Sequence, residues 1–197
     1  MKTTKTNRMS TQTLALASMM TALVIVCQIL ATYTTFFGPF STAIALVPIA
    51  IGAVMCGPMI GTWLGLVFGI VVLSTGGANL FLGFNVIGTF ITVLFKGAAC
   101  GFAAGTVNKL LRNFNKDVAA VASAIICPIV NTGVFLLCGY LFFMPYAEAI
   151  AEMVNVKASG FEVFLALATA NFVFELLLNI IFSPVILKVL SLRKKHN

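Results

Sequence analysis

Long apolar runs separated by short polar or Gly/Pro breaks organise this chain, and polar residues within the runs recur at helical spacing. The first run, Thr11 to Tyr33, predicts a membrane-length helix. Apolar sequence from Phe40 to Leu73 is too long for one helix and breaks at Gly57-Pro58, where glycine ends a helix and proline begins one. Two short spans of about 16 residues, roughly 24 Å each, are expected there. The segment 74–79 reads as a loop, and further spans are expected from Phe84 to Asn108, Val118 to Phe143 (with Pro128 inside) and Phe161 to Leu187. Between the last two, Glu148 and Glu152 stand four apart, opposite Ile150, Met153 and Val154, so the 144–160 loop should carry a short amphipathic surface helix.

The expected fold is therefore all-α, a single transmembrane domain over residues 1–197 with six transmembrane helices and basic tails at about 1–10 and 191–197. Composition agrees: the chain is 60% hydrophobic and 9% charged, with a mean hydropathy of +1.09. The net charge of +7 is concentrated in three clusters: Lys2, Lys5 and Arg8; Lys109, Arg112 and Lys116; Lys188, Arg193, Lys194 and Lys195. The positive-inside rule assigns all three to the cytoplasm, places both termini there, and leaves Glu148 and Glu152 outside. Orientation thus explains the basic residues, and no nucleic-acid partner is implied.

Two charges remain inside the apolar runs. Asn85, Thr89, Thr92 and Lys96 recur at steps of four, three and four, within roughly 60° of one another on a helix. Asn171, Glu175, Asn179 and Ser183 recur at steps of four. A charge at the bilayer centre costs about 3 kcal/mol on insertion scales, so it faces a partner or a wet cavity. Lys96 and Glu175 lie at similar depth. They can clamp a ligand, relay protons, or pair as a salt bridge that sets helix registry. Asn85, Thr89, Asn131 and Asn171 can converge beneath the loop containing Asn79. Lys96 then forms the floor and Trp63 and Tyr140 the walls.

Gly61, Gly65 and Gly69, and likewise Gly97, Gly101 and Gly105, recur every four residues. Rows of this kind let two backbones approach closely. On the second helix the row points about 150° from the Asn85–Lys96 stripe, which separates a packing face from a ligand face. The first span carries overlapping small pairs, Ala17 with Thr21 and Ser18 with Ala22, fit either for a partner membrane protein or for internal packing.

Catalysis is not expected. The single histidine, His196, sits in the basic tail, the one aspartate, Asp117, adjoins the cytoplasmic loop, and no P-loop sequence occurs. The five cysteines lack zinc spacing and read as packing residues; neither a metal nor a cofactor is expected.

The six-helix size, basic ends and small face on the first span resemble the substrate-binding S-components of energy-coupling factor (ECF) transporters. The stretch from Leu46 to Gly61, with its Gly-Pro turn, looks like that family's second and third helices. Asn85 to Gly97 and Cys127-Pro-Ile-Val-Asn-Thr-Gly133 look most like its pantothenate-type members. The resemblance spans about Gln12 to Leu190. It implies a bacterial cell-membrane protein that captures a vitamin or micronutrient, best matched by pantothenate, from outside. It also implies partnership with a transmembrane T-component and two ABC-type ATPases. The T-component contact would fall on Ala17, Ser18, Thr21 and Ala22, where the family's alanine pair is here replaced by other small residues. The residues by themselves equally suit a proton- or sodium-coupled carrier or a channel subunit.

Overall fold

A computed structural model describes residues 11–33 and 44–195. Lys2, Lys5, Arg8, the head of the second apolar run from Phe40 to Ala43, and His196 lie outside the described residues. The described chain is helical and has no strand. Its order is α1 (Thr11–Tyr33), α2 (Leu46–Cys56), α3 (Pro58–Ser74), α4 (Asn79–Leu82), α5 (Val86–Leu111), α6 (Lys116–Cys138), α7 (Ala147–Met153) and α8 (Phe161–Lys195). A π-helical turn (Gly139–Phe143) and a 3-10 turn (Met144–Tyr146) join α6 to α7.

The breaks follow backbone chemistry. Gly57 has φ +94°, a conformation that side chains disfavour, and Pro58 opens α3 at a position needing no N–H donor. Asn85 caps α5 by accepting from Gly88 N (2.8 Å). Asn115 caps α6 by accepting from Asp117 N (2.9 Å) and Val118 N (3.2 Å). α8 runs past the expected end at Leu187 to Lys195. α2 has 11 residues rather than the expected 16, because a turn at Ile44–Ala45 precedes it.

By length and composition α1, α5, α8 and the continuous helical stretch from Lys116 to Met153 can cross a membrane; α2 and α3 are shorter apolar helices. α2 occupies the centre, touching α1, α3, α5, α6 and α8. Every residue from Leu46 to Val54 is buried, which explains why its sequence is apolar all round instead of striped.

Around it α3 packs on α5, α5 on α6 and α6 on α8. The α3–α5 contact is the glycine seam expected from the two rows. A Cβ on Gly65 would strike the Gly97 carbonyl, one on Gly97 the Gly65 carbonyl, and Gly61 and Gly101 oppose each other in the same way. Only glycine permits this backbone-to-backbone approach.

At one end of the bundle α4, α7 and the π turn close over the helices. Phe81, Phe143, Ile150, Val163, Phe164 and Leu167 form a second apolar cluster there. Phe81 meets Phe143 edge-on at 5.1 Å and Phe135 at 5.7 Å. α7 forms as expected, with Glu148 and Glu152 exposed and Ile150 fully buried. Met153, placed on the apolar face by the sequence, is instead 66% exposed, and Ala147 and Ala151 complete the buried side.

Candidate functional site

A cavity lies beneath the α4–α7 cap, among α3, α5, α6 and α8. The space open to the centres of water molecules is about 70 Å³, room for on the order of five waters at about 10–15 Å³ each. Its apolar wall comes from Phe68 and Val72 of α3, Phe81, Phe135, Phe143 and Leu167. Its polar lining is Thr89, Thr92 and Lys96 of α5, Asn131 and Thr132 of α6, and Asn171 and Glu175 of α8.

The α5 stripe enters this cavity because Asn85 starts the helix there. Thr89 and Thr92 then stand one and two turns below, with their hydroxyls donating back to Asn85 O (2.7 Å) and Gly88 O (2.6 Å). Each hydroxyl spends its one proton inside its own helix. Lys96 follows one turn further. Its ammonium makes no hydrogen bond or ion pair among the described residues; it lies 5.9 Å from the Phe68 ring and 5.7 Å from the Phe135 ring. Such cation–π contacts are worth about 1–2 kcal/mol and leave all three N–H donors unused.

Glu175, 1% exposed, is held by two asparagines instead of by Lys96. Asn131 Nδ2 donates to Oε2 (3.3 Å) and Asn171 Nδ2 to Oε1 (2.9 Å). Lys96 and Glu175 form no salt bridge with each other: the ammonium rests against the two phenyl rings and the carboxylate takes the two amides. One turn below, Asn179 Nδ2 donates to the Glu175 carbonyl (2.9 Å).

The structure thus gathers Thr89, Lys96, Asn131, Asn171 and Glu175 around one space. It does not bring in the other four residues that the sequence pointed to. Asn85 spends its side chain on the α5 cap, its Nδ2 reaching only Phe142 O at 3.4 Å. Asn79 is exposed at the start of α4, while its neighbours Gly77 and Ala78 line the cavity. Trp63 is 53% exposed and donates its indole N–H to Thr21 Oγ1 (3.3 Å), tying α3 to α1. It stands five residues before Phe68, about 140° around α3 from the lining face. Tyr140 is 57% exposed and meets Phe161 edge-on at 6.0 Å.

Sequence reading missed the phenylalanine wall. Phe68 and Val72 are separated by one turn of α3, but nothing in an apolar helix marks which face meets a cavity. Phe143 points inward from the π turn, which no local pattern announces.

On α1 the two small pairs separate. Ala17 is buried and Thr21 half-buried, its hydroxyl accepting from Trp63 of α3, whereas Ser18 and Ala22 are exposed, beside Met19 (65% exposed) and Leu23 (42% exposed).

Residues 12–190 match the family model described as "ECF transporter, substrate-specific component". The chain belongs to this family. Such S-components are transport proteins of the membrane and not enzymes; they bind a small-molecule substrate and work with a T-component and ATPases. The fold also resembles the solved structure of ThiT from Listeria monocytogenes, with a TM-score of 0.66 at 18% identity, over 92% of this chain and 96% of that one. No curated protein matches the chain. For this S-component the cavity under the α4–α7 cap is therefore the candidate substrate site.

Proposed function

We propose that this S-component captures an anionic vitamin, with pantothenate as the best fit, from the outer face of a bacterial cell membrane for ATP-driven uptake. In this reading α1, α2, α3, α5, α6 and α8 are six spans, both termini are cytoplasmic, and the α4–α7 cap faces outside. The basic residues Lys109, Arg112 and Lys116 at the opposite end of α5 and α6 support that orientation.

The observation that carries the substrate assignment is the Lys96 ammonium. It sits on a cavity wall between two phenyl rings with every donor unused. A carboxylate there gains charge-assisted hydrogen bonds in a water-poor setting. The threonine hydroxyls and asparagine amides can serve the ligand's hydroxyls and amide, and the phenylalanines its methyl groups. Family membership favours ATP-driven uptake over the proton- or sodium-coupled carrier that the two charges alone also allow.

Two measurements test this. Calorimetry on the purified chain should show saturable pantothenate binding, and Lys96→Met should weaken it by about a hundredfold or more, the cost of leaving a buried carboxylate unpaired. The neutral analogue with an alcohol in place of the carboxylate should bind wild type weakly and be little affected by the substitution. Absence of pantothenate binding overturns the assignment, and mass spectrometry of small molecules retained on purification then names the substrate class directly. In cells, uptake should need the ATPases and survive an ionophore.

A further inference from the structure

The turn that joins α5 to α6 carries the most exposed large apolar side chain among the described residues, Phe114, at 90%. Its backbone is held firmly. Arg112 N donates to Asn108 O (2.9 Å), and Phe114 N (3.0 Å) and Asn115 N (3.2 Å) both donate to Leu111 O. Asn115 spends its side-chain oxygen on the start of α6. The phenyl ring itself makes no ring or cation contact among the described residues. In water it would forfeit the whole hydrophobic gain of burial.

Three cations flank this ring in the chain: Lys109 in the last turn of α5, Arg112 at its C-terminal cap and Lys116 at the first position of α6. All are exposed, and none forms an ion pair among the described residues. Asp117 is the one carboxylate in the segment, so the turn carries a net charge of +2. Depth follows from helix length. α5 has 26 residues, which makes it about 39 Å long at 1.5 Å per residue. A hydrocarbon core is about 30 Å thick, and the headgroup layers bring the bilayer to about 40–45 Å. With Val86 at one boundary of the core and a tilt of about 20°, the last turn of α5 falls within the opposite headgroup layer. Leu110 and Val118, both exposed, extend the apolar surface of the two helices to the turn.

We infer that the α5–α6 turn binds an anionic phospholipid. Phe114 enters the boundary between headgroups and acyl chains, and Lys109, Arg112 and Lys116 meet the phosphate and the negative charge of the headgroup. The inference goes beyond the cavity and its substrate, and rests only on α5 and α6 being membrane spans. Orientation by the positive-inside rule calls for cations at this end but not for an exposed ring held among them. An acidic protein surface could meet the same cations, but the depth of the turn favours lipid.

Trp63 is the only tryptophan, so Phe114→Trp in a Trp63→Phe background reports on this turn alone. The protein is placed in phosphatidylcholine bilayers with a minority of phosphatidylglycerol, and an equal amount of one lipid or the other carries brominated acyl chains. Brominated phosphatidylglycerol should quench the fluorescence at least about twofold more than brominated phosphatidylcholine, through enrichment by cations at the membrane surface. The excess should vanish at high salt, and also when Lys109→Gln, Arg112→Gln and Lys116→Gln are combined. Equal quenching by the two lipids overturns the inference. Quenching by neither, with a blue shift once the T-component and ATPases are added, gives the surface to a protein partner and overturns it too. A second measurement needs no reporter and leaves Trp63 in place. Native mass spectrometry of the wild-type chain in micelles with equal amounts of both lipids should show phosphatidylglycerol retained about fivefold over phosphatidylcholine. The preference should be lost in the triple glutamine variant, and a ratio unchanged there overturns the inference.

Discussion

A glycine-to-alanine series tests how closely the α3–α5 seam is built, since one methyl group meets three different surroundings. At Gly133, exposed on α6, an added Cβ has nothing within 4 Å. Alanine there should stabilise by up to about 1 kcal/mol through helix propensity alone. At Gly69 the Cβ would stand 3.0 Å from Val93 O and 3.2 Å from Leu94 Cα. A give of a few tenths of an ångström relieves this, so propensity gain and crowding should cancel to within about 0.5 kcal/mol. At Gly65 the methyl group would overlap the Gly97 carbonyl, which is backbone and cannot turn aside. The helices must separate by on the order of 1 Å, which forfeits a quarter to a half of each dispersion contact along the seam. Overpacking of this kind costs about 1–3 kcal/mol, and the propensity gain offsets less than about 1. Heating the purified chain in detergent and following the folded fraction by size exclusion gives the ranking. Gly65→Ala should melt about 2–6 °C below wild type, Gly69→Ala near it and Gly133→Ala at or above it. Gly65→Ala as stable as Gly133→Ala would refute the backbone-contact geometry. It would also remove the reason for placing Phe68, one residue from Gly69, against Lys96, one residue from Gly97.

Four further outcomes are expected. Asn85→Ala should lower stability by about 1 kcal/mol through loss of the α5 cap while leaving ligand affinity within about threefold; a selective loss of affinity would return Asn85 to the binding site. Asn131→Ala should weaken ligand binding by about 1–3 kcal/mol, measured by calorimetry, because it removes an amide of the cavity lining and one donor to Glu175; wild-type affinity in the folded variant would move the site elsewhere. Ser18→Leu and Ala22→Leu should abolish transport with ligand binding by the isolated chain retained, whereas Ala17→Leu should impair folding because its side chain is buried; equal loss of binding in all three would deny the exposed face a partner role. On a cysteine-free background, an impermeant thiol reagent should label intact cells at Met153→Cys and not at Asn113→Cys, both positions being exposed, and the reverse would invert the topology.

Much of the helix order is legible in one dimension. Apolar length and the Gly57-Pro58 break are local, and α3 begins at Pro58 as that break requires. The matching of the two glycine rows is nearly so, because close approach leaves no other use for such spacing. Periodicity also placed Thr89, Thr92 and Lys96 on one face, and the cost of burying charge marked Lys96 and Glu175 as residues with a task.

Other features depended on tertiary structure, because they are relations between helices far apart in the chain. Asn85 is the exception, a local contact read otherwise: it continues the polar stripe, yet its position at a helix start commits its side chain to Gly88 N, three residues on. Trp63 and Tyr140 have the chemistry of pocket walls but stand on outward faces, a matter of helix rotation that apolar sequence does not encode. Ala17–Thr21 and Ser18–Ala22 are equivalent pairs until the packing of α1 on α2 and α3 buries one side of the helix. Whether Lys96 pairs with Glu175 was undecidable from spacing. Asn131, 44 residues from Glu175 in sequence, supplies a donor that meets the carboxylate across α6 and α8, and so leaves the ammonium to face the cavity.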